Sequence, residues 1–124
     1  MKGQKRKYNN IKTEMDGKVF DSRKEALRYA ELKMMEKAGQ ISDLECQKAY
    51  ELIPKFRLNG KAYRPVTYIA DFAYYDKTPD GSICRSTIRW VVEDVKSPIT
   101  RKNPVYMLKK KMMAYFHHIE VKEI

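Results

Sequence analysis

Two apolar stretches of this chain carry charge where a strand can tolerate it only with help: Tyr68-Ile69-Ala70-Asp71-Phe72 and Val91-Val92-Glu93-Asp94-Val95-Lys96. Both lie in segments that alternate with a period of two. They read as strands, the first from Val66 to Asp76 and the second from Thr87 to Lys96. An ionised group inside such a segment is costly unless it is paired or metal-bound. The chain must therefore build a sheet that gives these charges partners.

The register can be worked out from side-chain parity. If Asp71 lies opposite Asp94 in an antiparallel pair, then Ala73 meets Val92, Tyr75 meets Trp90 and Ile69 meets Lys96, all on one face, and Lys77 to Thr87 forms the loop. A tight turn at Asp80-Gly81 would instead separate the aspartates by about four residues, ~13 Å along the strand. The first register is the expected one. Two opposed carboxylates repel, so a hard divalent cation bound through their oxygens is the natural partner. Lys96, two residues beyond Asp94, projects on the same face, while Glu93 and Val95 face the other way. Such a group suits phosphodiester hydrolysis, with Lys96 offsetting charge that grows in the transition state. A plain Asp94–Lys96 surface ion pair with Asp71 in a turn is the competing reading, and the apolar flanks on both strands argue against it.

Elsewhere the pattern predicts a helix from about Arg23 to Ala38. Asp21 and Ser22 are its cap candidates, Gly39 its stop, and Ala26, Leu27, Tyr29, Ala30, Leu32, Met34 and Met35 its apolar stripe. A strand is expected from Ala49 to Leu58, with Asn59-Gly60 as a type I′ hairpin turn and Pro65 opening the return. Thr78-Pro79-Asp80-Gly81 marks a turn, and Pro98 and Pro104 bracket a loop. A second helix is expected over Val105 to His117, with Val105, Leu108, Met112, Tyr115 and Phe116 facing inward and His117-His118 at its end. Ile119 to Ile124 reads as an edge strand. The fold class is α/β (α+β), a mixed central sheet flanked by helices, in one domain over residues 13–124 behind a basic arm at 1–12.

Charge points to the partner. The 26 Lys and Arg outnumber the 16 Asp and Glu, leaving a net +10 that favours a polyanion. Lys5, Arg6 and Lys7 in the arm, with Arg101, Lys102, Lys109, Lys110 and Lys111 downstream, are the expected nucleic-acid contacts. Cys46 and Cys84 form no Cys-x-x-Cys pair and have no nearby His, which argues against a zinc site and a disulfide framework. They read as reduced thiols. Neither a signal peptide nor an apolar run near the ~20 residues of a membrane span is found, so a soluble, cytoplasmic protein with no membrane partner is expected.

Taken together, Lys7-Tyr8-Asn9-Asn10, Phe20-Asp21-Ser22-Arg23-Lys24-Glu25-Ala26, Tyr68-Ile69-Ala70-Asp71-Phe72 and Glu93-Asp94-Val95-Lys96 resemble the PD-(D/E)XK nuclease superfamily. The likeness is greatest to its small phage-encoded branch related to Holliday-junction resolvases. The resemblance implies a restriction-endonuclease-like core and a magnesium-dependent endonuclease that hydrolyses DNA phosphodiester bonds, with branched structures such as Holliday junctions among its substrates. It implies Mg²⁺ or Mn²⁺ held by Asp71 and Asp94, Lys96 beside the attacking water, and Glu25 as the helix carboxylate completing the metal site. It also implies the cytoplasm of a bacterial or phage-infected cell, and a homodimer, since two strands must be cut. Ala70 stands where the motif expects proline, and Asp94 where glutamate is more usual. Glu25 has a second open role, because Ser22-x-x-Glu25 is a capping box. The alternative function is a non-catalytic nucleic-acid-binding module on the same fold.

Overall fold

A computed structural model describes residues 12–78 and 88–124. The chain opens with a hairpin of β1 (Thr13–Met15) and β2 (Lys18–Phe20), turned through Asp16 and Gly17, both at positive φ (52° and 74°). Next comes α1 (Arg23–Lys37), whose N-cap Ser22 accepts the Glu25 backbone N–H at 3.1 Å and whose end is followed by Gly39 at φ 77°. The strand β3 (Ile41–Ile53) leads to a small hairpin of β4 (Phe56–Leu58) and β5 (Lys61–Tyr63). Its turn places Asn59 and Gly60 at φ 51° and 75°, the pair of positive values that a type I′ turn requires. Then follow β6 (Val66–Asp76), β7 (Arg89–Asp94), the short α2 (Pro98–Arg101), α3 (Pro104–His117) and β8 (Lys122–Glu123).

The four-stranded sheet runs β3-β6-β7-β8, antiparallel except for the parallel β7–β8 pair at its edge. The sheet is therefore mixed, as expected. Between β6 and β7 the register pairs Ala73 with Val92 and Tyr75 with Trp90, the one that sets Asp71 level with Asp94. A core forms on each side. Under α1 lie Phe20, Ala26, Tyr29, Leu32, Ile41, Phe72 and Tyr74; under α3 lie Leu52, Tyr68, Ala70, Ala73, Val92, Tyr106, Met113 and Val121. Each large apolar side chain fully buried this way, such as Phe72 or Leu32, contributes about 1.5–3 kcal/mol.

The partition of the two cores exposes an irregularity. On β6, Tyr68 and Ala70 point to the α3 side, yet Phe72 and Tyr74, of the same parity, point to the α1 side. On β3, Tyr50 and Leu52 belong to the α3 side whereas Leu44 and Cys46 belong to the α1 side. A regular strand cannot do this. Both strands change face between the ladder pairs Lys48–Ala70 and Cys46–Phe72, at Gln47 and Asp71, and Gln47 adopts φ 54°.

Several expectations are corrected. The predicted strand Ala49–Leu58 begins at Ile41 and stops at Ile53, because Pro54 has no N–H for the ladder. The strand predicted over Thr87–Lys96 is paired from Arg89 to Asp94. The segment between Pro98 and Pro104 is not all loop: the Ser97 hydroxyl accepts the Thr100 N–H at 3.3 Å and Pro98 opens a helical turn. In α1, Leu27 and Met34 face solvent. In α3, Val105, Leu108, Tyr115 and Phe116 are exposed; the inward stripe is Tyr106 and Met113, seven residues apart, with Met112 partly covered. The β1–β2 hairpin was signalled by Asp16-Gly17 and lies where no element was predicted. The basic arm apart from Lys12, with Lys5, Arg6 and Lys7, and most of the Thr78–Gly81 turn lie outside the described residues, as does Cys84. Among the described residues no helix is long and apolar enough to cross a membrane.

Candidate active site

The double change of face determines the site. Groups that a regular sheet would keep on opposite sides meet at the twist: Glu25 from α1 on one side, Asp94 from β7 on the other, and Asp71 between them. Asp71 Oδ2 accepts the Val95 backbone N–H at 2.8 Å, which ties β6 to the end of β7. Asp71 Oδ1 lies 3.5 Å from Gln47 Nε2, and the same nitrogen lies 3.3 Å from Glu25 Oε1. Asp94 is only 1% exposed. Its Oδ2 accepts the Tyr68 hydroxyl, while its Oδ1 is buried with no hydrogen-bond donor and has Lys96 Nζ at 3.5 Å. Lys96 in turn lies over the Tyr106 ring, 5.0 Å from its centroid. All four residues predicted for the chemistry are thus gathered here.

The electrostatics follow from crowding like charges in a partly dry place. Burial, a hydrogen bond shared with Asp94 and the charge of that carboxylate push Asp71 up to about 7. Burial, then the charges of Asp71 and Asp21, push Glu25 up to about 7, with Lys96 pulling the other way. Burial and the bond to Asp94 raise the Tyr68 phenol, so it stays a donor. Ser22 makes its half of the capping box, but the hydrogen bond to the Glu25 side chain comes from Gln47, and the carboxyl is also steadied by the Asp21 backbone.

Residues outside this group hold it in place. Arg28, one helical turn after Glu25, grips the fully buried Glu93 through Nε–Oε1 at 2.8 Å and Nη2–Oε2 at 2.6 Å, and Tyr74 donates to the same carboxylate. Neither Arg28 nor Gln47 was singled out from sequence. Gln47 looks like an ordinary polar strand residue, and nothing in a glutamine announces a positive φ.

Do these groups suit a divalent cation? Three carboxylates converge, one of them with an oxygen lacking any donor, and hard cations favour such oxygens. Among the described residues, however, no three acidic, imidazole or thiol groups are yet close enough to enclose an ion. The Gln47 amide stands between Glu25 and Asp71. The donor types fit, and the Gln47 amide occupies the place between two of them.

The basic residues divide. Lys109 shares with Asp94, Lys96, Thr67, Asn103 and Tyr106 a groove of about 400 Å³. Arg101, Lys110 and Lys111 line a separate hollow with Glu120 and Glu123, where Lys110 pairs with Glu123 at 3.3 Å. Lys102 caps the end of α2 and is exposed. His117 closes α3 and bonds the Glu51 carbonyl at 2.7 Å, away from the acids.

Residues 5–124 match the family described as protein of unknown function (DUF1064), and the chain belongs to that family. No curated protein and no solved structure matches it.

Proposed function

We propose that this member of the family is a metal-dependent endonuclease that hydrolyses DNA phosphodiester bonds, built on a restriction-endonuclease-like core. The observation that carries the reading is the meeting of Glu25, Asp71, Asp94 and Lys96 at one interruption of the sheet, with Asp94 Oδ1 buried and without a donor. A protein that only bound DNA would gain nothing from three converging carboxyls that repel phosphate, two of them, Glu25 and Asp94, buried. The order helix, three antiparallel strands, helix, parallel edge strand supports the core assignment, with acids on the first helix and on the second and third of those strands.

Asp71, Asp94 and Glu25 are the residues that would hold Mg²⁺ or Mn²⁺, which when bound polarises a phosphoryl oxygen and acidifies a water. Lys96 contributes a positive charge beside Asp94 for the phosphate whose charge grows in the transition state. Tyr68 fixes the orientation of Asp94 by donating to Oδ2. Lys109 continues the groove from Asp94 and Lys96 and suits the flanking backbone, while Lys5, Arg6, Lys7, Arg101, Lys102, Lys110 and Lys111 add wider attraction for a polyanion. Cutting both strands of a branched substrate would call for two copies of the chain.

The test uses labelled four-way junction, duplex and single-stranded DNA, with Mg²⁺ or EDTA, beside Asp71→Ala and Lys96→Ala. Cation-dependent cutting lost in both variants is the expected result. Cutting that survives both substitutions overturns the assignment, and salt-sensitive binding with no cutting makes the protein a non-catalytic binding module.

A further inference from the structure

We infer that Gln47 belongs to the cation site, as a neutral ligand that bridges Glu25 and Asp71 through its amide nitrogen when no cation is present and turns its amide oxygen inward when one is. The inference rests on the cation reading above.

Gln47 lies opposite Asp71 where β3 and β6 both change face, and its amide nitrogen touches two of the three carboxyls at 3.3 and 3.5 Å. A side-chain amide is nearly symmetric in shape but opposite in polarity at its two ends. With a donor facing two crowded carboxyls it relieves their repulsion. With its carbonyl facing them it offers a hard oxygen of the kind that octahedral divalent ions accept. Rotating the terminal bond exchanges one arrangement for the other without moving the backbone. A carboxylate at this position would add to the repulsion, and a lysine would fill the cation's place permanently. Glutamine serves both states.

Gln47 holds φ 54°, a left-handed conformation that glycine adopts freely and a longer side chain does not. Asp16, Asp43, Asn59 and His118 share this left-handed backbone; what sets Gln47 apart is a side chain bonded to both Glu25 and Asp71.

The experiment measures Mn²⁺ binding by titration calorimetry to the metal-free protein, with thermal melts of the same samples. Gln47→Gly removes the amide while relaxing the backbone; a cooperative melt shows that the fold is kept, and Mn²⁺ should bind on the order of tenfold more weakly. Gln47→Glu adds a charged oxygen and should tighten binding by a similar factor. Native affinity in Gln47→Gly, with binding abolished in Asp71→Ala, overturns the role of Gln47 and leaves the cation site standing. No Mn²⁺ binding by the native protein sinks the cation reading itself, and this inference with it.

Discussion

Arg28 and Glu93, 65 positions apart in sequence, share two hydrogen bonds of 2.8 and 2.6 Å across the α1–β7 interface. The pair joins the helix that carries Glu25 to the strand that ends in Asp94, so it governs how far apart two of the three acids sit. Glu93 is fully buried, and among the described residues its charged partner at salt-bridge distance is Arg28. Arg28→Met should therefore strand a buried carboxylate and lower stability by about 3–5 kcal/mol in urea denaturation. Arg28→Met with Glu93→Gln removes both charges and should recover much of the loss. Equal losses in the single and double variants would mean that packing, not charge, is what the arginine supplies.

Burial raises Glu25 and Asp71 from ordinary values of 4.5 and 3.8 to about 7 each, helped at Glu25 by the charge of Asp71 and at Asp71 by the hydrogen bond and charge of Asp94. The folded protein therefore binds their protons more tightly than the unfolded chain does. Their contribution is fully present below about pH 4 and is lost as pH rises through about 7. Metal-free protein should be less stable at pH 8 than at pH 5, by about a few kcal/mol for the two groups together. Glu25→Gln should flatten that slope in melts across this range. A cation competes with the same protons, so stabilisation by Mg²⁺ should be larger at pH 8 than at pH 5. A native protein whose stability does not change with pH in this window would contradict the crowding of the two acids.

The Tyr68 hydroxyl donates to Asp94 Oδ2 in a buried place where the other oxygen of that carboxylate has Lys96 Nζ nearby, at 3.5 Å. Tyr68→Phe deletes one oxygen and keeps the ring that packs under α3. The stability cost should be about 1–3 kcal/mol, since a buried carboxylate oxygen loses its partner. On the proposed function, DNA cutting should fall by roughly ten- to a hundredfold, as when an orienting partner of a metal ligand is removed. A stability loss with full turnover would show that the hydroxyl supports the fold and not the orientation of Asp94.

Local signals carried the sequence reading far, and its limits have physical causes. The β6–β7 register was legible because setting Asp71 opposite Asp94 also pairs Ala73 with Val92 and Tyr75 with Trp90, as the ladder does. The caps of α1 and the Asn59-Gly60 turn were legible because those residue types are tied to particular backbone angles. Gln47 was not, since its importance comes from a change of face that two strands make together. Arg28 and Glu93 are each common on helices and strands, and only the folded arrangement makes them partners. The inward face of α3 was misjudged because five apolar residues compete for it, and the small Ala70 and Ala73 beneath leave room for Tyr106 and Met113.

Lys109 and Lys110 are neighbours in sequence with different surroundings, which allows a test of where DNA lies. Lys109 lines the groove with Asp94 and Lys96, while Lys110 pairs with Glu123 at 3.3 Å in a separate hollow. A lysine that neutralises a phosphate releases about one counterion, so its loss lowers the slope of log affinity against log salt by about 1. Lys109→Ala should show this reduced slope in binding titrations with the inactive Asp71→Asn protein. Lys110→Ala should lower it less, because that charge is paired with Glu123 and lies outside the groove. The reverse order would put the DNA path along the Arg101–Lys111 hollow and away from the groove that opens onto the acids, and equal effects would extend it over both surfaces.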